Sequence, residues 1–149
     1  MSTRFEPVPC NNPSNFSHWL MWARRDSLGS GLKQPGVYLL AHFETPPTGN
    51  ANPNSPEVVY IGETHLQTLA ERLQSFHRSA FQGSDGHAGG ETYRTTYAGD
   101  TGNKLFVSIF PPRILISPTL HPTYIQYLES RLRWEFAQTN QRLPTCNKV

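Results

Sequence analysis

The 149-residue sequence is poor in cysteine and contains no long apolar run. Its two cysteines, Cys10 and Cys146, lie near opposite ends of the chain and form no metal-ligand spacing. Because disulfides persist mainly in oxidising compartments, we expect two free thiols and a cytoplasmic protein. No stretch approaches the roughly 20 apolar residues of a membrane span, and the first residues lack the apolar core of a secretory signal. We therefore expect no membrane segment and no export.

The net charge is also small, because 13 Lys and Arg residues stand against 11 Asp and Glu residues, a balance of +2. This balance does not by itself indicate nucleic-acid binding, although a local basic patch is enough to hold phosphates. Arginine makes up ten of the 13 cationic residues, and its planar guanidinium suits bidentate phosphate contacts.

The length of the chain suits one compact domain, with an N-terminal arm and helix in residues 1–34 and the main domain in residues 35–149. Apolar periodicity and Pro/Gly punctuation predict the elements. In order, they are an extended arm over 1–13, a helix over 14–28 capped by Ser17, strands over 36–43 and 57–62, a helix capped by Thr64, a glycine-rich loop over 83–103, a strand over 104–110, and a helix from Pro122 to Asn140. This order predicts an α+β fold in which helices cover a small sheet that begins with an antiparallel hairpin.

Two tyrosines stand out on the first two predicted strands. Strand alternation places Tyr38 on one face with Leu40 and His42, and it places Tyr60 on one face with Val58. The tyrosines can therefore stand side by side on neighbouring strands. Such cross-strand aromatic pairs are usually structural, so the alternation alone leaves a functional role open.

Glu129 lies within the apolar stripe of the last helix, which is formed by Ile125, Leu128, Leu132 and Phe136. A carboxylate on a buried face is costly unless its charge is compensated. An ion pair, a raised pKa or a divalent cation would each compensate it, as would a position at the edge of the stripe. On the preceding helix, Arg72 flanks the apolar stripe and is either a solvated surface charge or a phosphate ligand.

Together these features resemble the GIY-YIG endonuclease family. The resemblance rests on Gly-Val-Tyr at 36–38, Tyr-Ile-Gly at 60–62, Arg72, Glu129 and Asn147, and its most specific part is VVYIGETHLQTLAERL at 58–73. It covers about residues 35 to 147. It implies a small three-stranded antiparallel sheet flanked by helices, here with an extra N-terminal helix, and an activity that cuts DNA.

The resemblance also implies a role for each matched residue. Tyr60 would activate the attacking water, and Tyr38 would position that water or the scissile phosphate. Arg72 would stabilise the phosphate, Glu129 would be the single carboxylate ligand of one Mg²⁺ or Mn²⁺ ion, and Asn147 would support the site. The pKa of a free tyrosine is about 10. We expect positive charge from Arg72 and the metal to lower the pKa of Tyr60 towards phenolate.

Two histidines are further candidates. The family often has a histidine or tyrosine one turn after the arginine, where this chain has Phe76. His77 follows it, but helical spacing puts His77 in the apolar stripe with Leu66 and Leu73, so it is either catalytic or a core histidine. His87, in the glycine-rich loop, is the other candidate, because that loop can fold back over the site.

DNA contact requires a basic rim as well as the catalytic set. We expect this rim to draw on five residues, which are Arg78, Arg94, Arg131, Arg133 and Lys148. Arg131 and Arg133 flank Glu129 in sequence but are expected to point elsewhere on the helix. Tyr93, Tyr97 and Tyr124 either stack on bases or pack in the interior. No sequence-reading motif is visible, so specificity would come from DNA structure, a loop, a partner protein or a homodimer.

Two functions from different classes fit these residues. The first is a divalent-metal-dependent DNA endonuclease. The second is a non-catalytic nucleic-acid-binding module that retains the GIY-YIG fold. The complete set of two tyrosines, arginine, glutamate and asparagine favours the enzyme, because a degenerate binder would be expected to have lost at least one of them. A purely structural protein would require the whole set to be coincidental.

Overall fold

The computed structural model describes residues 15–113 and 118–148, so the predicted arm over residues 1–13 and Cys10 lie outside the described part. Four strands and three α-helices follow in chain order. They are β1 (Leu20–Met21), β2 (Gly36–His42), β3 (Val58–Thr64), α1 (Leu69–Phe81), α2 (Ala88–Thr96), β4 (Leu105–Phe110) and α3 (His121–Asn140). The α+β class, the three longer strands and the last helix agree with the sequence-based expectation. In the described ranges, no helix combines the length and the apolar character that crossing a bilayer requires.

The strands form one antiparallel sheet in the order β1-β4-β2-β3. Strands β2 and β3 form the predicted hairpin, and β4 pairs with the other side of β2. Strand β3 therefore lies at an edge, where one row of its backbone amide and carbonyl groups has no neighbouring strand. The sheet has four strands and not the expected three, because Leu20–Met21, in the segment predicted to be a helix, pair with β4.

The predicted helix over residues 14–28 is wrong. Residues 20–21 pair with β4, and Trp22–Leu28 and Ser30–Lys33 are short 3₁₀ segments with a kink at Arg24. Ser17 does not cap a helix but holds β4 through a hydrogen bond from the Ile109 amide to its Oγ, 3.0 Å long. Phe16 and Trp22 of this segment pack on opposite faces of the sheet and so do not form one apolar helical face.

Helix α1 begins four residues later than expected. Thr68, not Thr64, is its N-cap, and it forms a capping box in which Thr68 Oγ1 accepts from the Glu71 amide while Glu71 accepts from the Thr68 amide. Thr64 instead ends β3, and its hydroxyl bonds to Gln67 in the turn. Leu66, expected on the apolar face, is consequently one of the most exposed side chains, at 84%.

The glycine-rich stretch expected to be a loop contains α2. His87 is the N-cap of this helix, and the Gly89-Gly90 pair lies in its first turn. The two glycines lower the intrinsic helix propensity, which is why the sequence predicts a loop. They are required by packing, since a Cβ at Gly90 would meet Ser79 Cβ at 2.7 Å and the Phe76 carbonyl oxygen at 2.9 Å. Tertiary contact between α1 and α2 thus overrides the local preference.

The sheet separates two apolar clusters. On one face α3 packs its predicted stripe of Ile125, Leu128, Leu132 and Phe136 against β2 and β3. On the other face Leu73 and Phe76 of α1 and Tyr93 of α2 pack against Tyr38 and Leu40 of β2. The two faces meet at the edge formed by β3.

A β-bulge lies between Leu40 and Ala41 in the pairing of β2 with β3. Leu40 pairs with Tyr60 and Ala41 pairs with Val58, so Val59 is an extra residue in β3. The bulge breaks the alternation, and Val58 packs on the α3 face while Tyr60 packs on the opposite face. The expectation that Val58 and Tyr60 share a face is therefore wrong, because sequence alternation does not reveal a bulge.

We predict that Thr68→Ala lowers the free energy of unfolding by about 1 kcal/mol, because it removes the N-cap of α1. Thr123→Ala is the matched control, because Thr123 is exposed in the first turn of α3 and is not its cap. Urea unfolding of both variants tests this expectation. Equal stability of the two variants would contradict the capping role.

Candidate active site at the edge of the sheet

The segment after α3, residues 141–148, covers the edge of β3 and is called the C-terminal tail below. Asn147 accepts a hydrogen bond from the Ile61 amide at its Oδ1 and donates one from its Nδ2 to the Ile61 carbonyl oxygen, both 2.9 Å long. The Cys146 amide adds a bond of 2.8 Å to the Val59 carbonyl oxygen. A side-chain amide thus satisfies the same pair of groups that a further strand would have satisfied. The edge is closed at Ile61, the central residue of Tyr-Ile-Gly.

The two tyrosines lie on the same face of the sheet, with their ring centroids 6.0 Å apart. Tyr38 pairs with Gly62 and Leu40 pairs with Tyr60, and paired residues point to the same side. A Cβ at Gly62 would lie 2.5 Å from Tyr38 Cζ and 2.6 Å from Tyr60 Cε2. Only glycine at position 62 therefore allows both phenol rings to occupy this space.

His87 approaches the tyrosine pair from α2. Its imidazole is fully buried, and its Nε2 lies 2.7 Å from the Tyr38 hydroxyl oxygen. Its ring centroid lies 5.6 Å from that of Tyr60. Burial, with a smaller contribution from Arg72, lowers the pKa of His87 to about 3. The imidazole is therefore neutral at physiological pH.

Arg72 projects from α1 towards the phenols, but burial dominates their ionisation. Removal from water raises the pKa of Tyr60 above its ordinary value, while Arg72 acts in the opposite direction. Burial likewise raises the pKa of Tyr38 well above 10, against a hydrogen bond and the charge of Arg72. Arg72 thus acts in the expected direction, but the pKa of Tyr60 in the protein alone is raised and not lowered as expected.

Glu129 reaches the same edge from α3, on the other side of the sheet. Arg133 donates from its Nη1 to Glu129 Oε1 at 3.0 Å, and from its Nη2 to the Lys148 carbonyl oxygen at 3.2 Å. Burial, and to a smaller extent the nearby Glu63, raises the pKa of Glu129 despite Arg133. The buried-face carboxylate therefore has a partner one helical turn away. The expectation that Arg133 points elsewhere is wrong.

Tyr60, Arg72, Glu129 and Asn147 line one open cleft with a volume of about 220 Å³. Its walls come from β3, α1, α2, α3 and the tail. They comprise Tyr60, Ile61, Gly62, Glu63, Arg72, Ala88, Gly89, Glu129, Arg133, Cys146, Asn147 and Lys148. The phenol of Tyr60, the guanidinium of Arg72 and the carboxylate of Glu129 therefore face a shared space. Tyr38 lies directly behind it.

The donor set of the cleft suits a hard divalent cation. Glu129 and Glu63 supply carboxylate oxygens, which are the ligands that Mg²⁺ and Mn²⁺ favour together with water and phosphate oxygens. Within the described ranges, no three His, Cys, Asp or Glu side chains are grouped closely enough to form an all-protein metal cage. The residues fit an ion that takes few protein ligands.

The other predicted residues divide between the cleft and more distant surfaces. His77 does not reach the cleft, because its Nδ1 accepts from Trp22 Nε1 at 3.0 Å and its ring stacks on that indole. Arg94 and Lys148 share a groove beside the cleft. Arg78 lines a separate depression of α1, and Arg131 is paired with Glu135 on α3.

The three tyrosines offered for base stacking serve the interior to different degrees. Tyr93 and Tyr124 are buried and cannot present a ring face to DNA. Tyr97 is half-buried, and its ring lies 4.2 Å from that of His42. Of the two alternatives offered by the sequence, base stacking and interior packing, Tyr93 and Tyr124 therefore follow the second.

Among the residues that line the cleft, Glu63 and Gly89 have functional importance that the sequence analysis did not assign. Glu63 follows Ile61 on the α3 face of β3, so strand alternation together with the position of Glu129 would have brought the two carboxylates together. No pattern in the sequence indicates that Gly89 lies at the cleft. A Cβ there would overlap the Tyr60 ring, so this glycine sets how closely α2 approaches the tyrosine.

Comparisons of the chain with protein-family models, with curated proteins and with solved structures give no match.

We predict that His87 makes stability depend on pH. Its pKa is about 3 in the folded protein and 6.5 in a free side chain, so below about pH 6.5 the unfolded chain binds a proton that the folded protein does not. This contribution to stability is complete above that pH and declines as the pH falls towards 3. When the pH falls from about 7 to about 5, the free energy of unfolding of the wild type should decrease by about 2 kcal/mol more than that of His87→Asn.

Urea unfolding of both proteins at the two pH values measures this difference. Burial also lowers the pKa of His42 and of His77, but these residues are unchanged in the variant, so their contributions cancel. Parallel stability curves would contradict the buried neutral state of His87.

We also predict that Asn147→Asp destabilises the edge by about 1–3 kcal/mol, because a carboxylate cannot donate to the Ile61 carbonyl oxygen. Hydrogen exchange at the Ile61 amide should become faster, because the second carboxylate oxygen would repel the Ile61 carbonyl oxygen and so open both bonds. Asn103→Asp, an exposed change of the same type, provides the control. Unchanged exchange at Ile61 would contradict the role of Asn147 as a clamp.

Proposed function

We propose that this protein is a divalent-metal-dependent endonuclease of the GIY-YIG type, which hydrolyses DNA phosphodiester bonds. One observation carries the proposal. Three residues that are distant in sequence, Tyr60, Arg72 and Glu129, line a single cleft whose edge is held by Asn147, and Tyr38 is buried behind Tyr60. Aromatic hydroxyls, a guanidinium and a carboxylate around an open cleft are suited to activating water beside an anionic ester.

The chemistry requires a proton acceptor for the attacking water and stabilisation of phosphate charge. In the proposed reaction the phenolate of Tyr60 accepts a proton from water while the water oxygen bonds to phosphorus. The opposite phosphorus–oxygen bond breaks, and the leaving oxygen takes a proton from solvent. Arg72 stabilises the negative charge that gathers on the phosphate oxygens. Tyr38, fully buried behind Tyr60, is suited to orient the phenol of Tyr60.

The protonation state of Tyr60 sets a condition on this reaction. Burial raises the pKa of its phenol, so the free protein holds it mostly protonated. A Mg²⁺ or Mn²⁺ ion bound by Glu129, with Glu63 beside it, would supply Lewis-acid stabilisation of the phosphate and positive charge close to the phenol. Arg72 already acts on the phenol in the same direction. Tyr60 is therefore a base only in the assembled complex.

The cationic groups at the cleft fit a DNA backbone. Arg133 and Lys148 line the cleft, and Arg94 lies in the adjoining groove. This rim contacts phosphates and carries no sequence information by itself. DNA structure, a partner protein or a second copy of the chain would then supply specificity. The buried free thiol of Cys146 suits the cytoplasmic setting that we also propose.

Supercoiled plasmid with Mg²⁺ or Mn²⁺ provides the test. We expect nicking that a chelator abolishes and that Glu129→Gln lowers at least ~100-fold. Glu135→Gln is the matched control, because Glu135 forms an i,i+4 pair with Arg131 on the same helix, in the reverse order along the chain, but does not line the cleft. Tight DNA binding without cleavage under either metal would instead support the non-catalytic binding module.

A second variant pair tests the base. Tyr60→Phe should lower the rate of nicking by roughly 10²- to 10⁴-fold, because it removes the proton acceptor and leaves the ring in place. Tyr127→Phe, at an exposed position of α3, should cut plasmid like the wild type. Full activity of Tyr60→Phe would reject Tyr60 as the base while leaving the nuclease class intact.

A further inference from the structure

His87 is held in one orientation by contacts on several sides. Its Nδ1 accepts a hydrogen bond of 3.0 Å from the Gly90 amide, which makes the imidazole the side-chain cap of α2. Its own backbone amide donates to Ser79 Oγ at 3.1 Å. The Phe76 ring stands edge-on against the imidazole, with centroids 5.4 Å apart. Rotation of the ring would break the cap and is opposed by this packing.

The cap fixes the position of the imidazole proton. A neutral imidazole carries one N–H, and the other nitrogen is an acceptor. Because Nδ1 accepts from the Gly90 amide, the proton resides on Nε2. The contact of 2.7 Å between Nε2 and the Tyr38 hydroxyl is therefore a bond in which His87 donates and the Tyr38 oxygen accepts.

This direction constrains the hydroxyl of Tyr38. Its oxygen accepts the Nε2–H of His87, and that nitrogen has no lone pair left with which to accept the hydroxyl proton in return. The hydroxyl proton of Tyr38 must therefore point away from His87. Tyr60 is the neighbouring phenol, with its ring centroid 6.0 Å from that of Tyr38, and its interaction with Tyr38 acts to lower the pKa of Tyr60.

We propose that His87 is a positioning residue whose Nε2–H makes the Tyr38 hydroxyl donate towards Tyr60, leaving Tyr60 as the phenol that accepts the proton of the attacking water. This inference rests on the proposed nuclease function and assigns different roles to its two tyrosines. Tyr38 is the buried donor, and Tyr60 is the acceptor that lines the cleft.

Two variants separate this role from helix capping. In His87→Asn the amide oxygen occupies the place of Nδ1 and retains the cap, but nothing replaces the Nε2–H. In His87→Gln the amide nitrogen can reach the place of Nε2 and donate to Tyr38, while the cap is lost. We expect His87→Asn to lower kcat roughly 10- to 100-fold with little change in KM.

His87→Gln should retain kcat within a few-fold of the wild type, although it unfolds at a lower urea concentration. A structural role alone predicts the reverse order, because activity would then follow stability. Equal losses of kcat in both variants, or no loss in His87→Asn, would overturn the proposal.

The tautomer can be measured without any DNA. Two-bond ¹H–¹⁵N correlation spectra of the whole protein distinguish a protonated Nε2 from a protonated Nδ1 in each histidine. We expect Nε2–H at His87, and a proton on Nδ1 overturns the proposal whether or not DNA is cut. If Nε2–H is found but plasmid stays intact with either metal, the proposed function fails and its catalytic consequence fails with it, while the hydrogen-bond direction stands.

Discussion

The paired hydrogen bonds between the Asn147 side chain and the backbone of Ile61 are the constraint on which the rest of the site depends. Strand β3 lies at the edge of the sheet, and its outward amide and carbonyl groups need partners. Asn147 provides both, and it brings Cys146 and Lys148 to the same edge. The cleft is thus assembled by the tail as much as by the sheet.

Closing the edge in this way brings together groups from opposite faces of the sheet. Tyr60 stands on the face covered by α1 and α2, and Glu129 comes from the helix on the other face. Glycine makes the approach possible, because side chains at Gly62 or Gly89 would overlap the phenol rings. In this arrangement burial outweighs the charge of Arg72 at Tyr60, so the phenol is protonated in the free protein. The site is therefore preorganised in shape, and the proposed activation of water by Tyr60 would require further positive charge.

The parts of the fold that depend on strong local patterns could be predicted from the sequence, including the long strands, the hairpin and the apolar stripe of α3. The parts set by contacts between distant segments could not. Helix α2 contains a Gly-Gly pair that locally disfavours a helix, and it forms because its first turn packs closely against Ser79 of α1. At the site, the placement of the two tyrosines on neighbouring strands brought the pair together correctly, whereas the bulge arises from strand pairing and has no signal in the sequence. The i,i+4 spacing of Glu129 and Arg133 and the alternation that puts Glu63 on the face of Ile61 were local signals that could have been used.

The central claim is that this edge cleft holds a divalent ion beside Tyr60. Paramagnetic broadening by Mn²⁺ in amide NMR spectra of the whole protein tests it most directly. The account predicts that the amide signals of Gly62, Gly89 and Lys148, which line the cleft, broaden first and that Glu129→Gln suppresses the effect. Broadening centred on another surface, or unchanged broadening in Glu129→Gln, would contradict it.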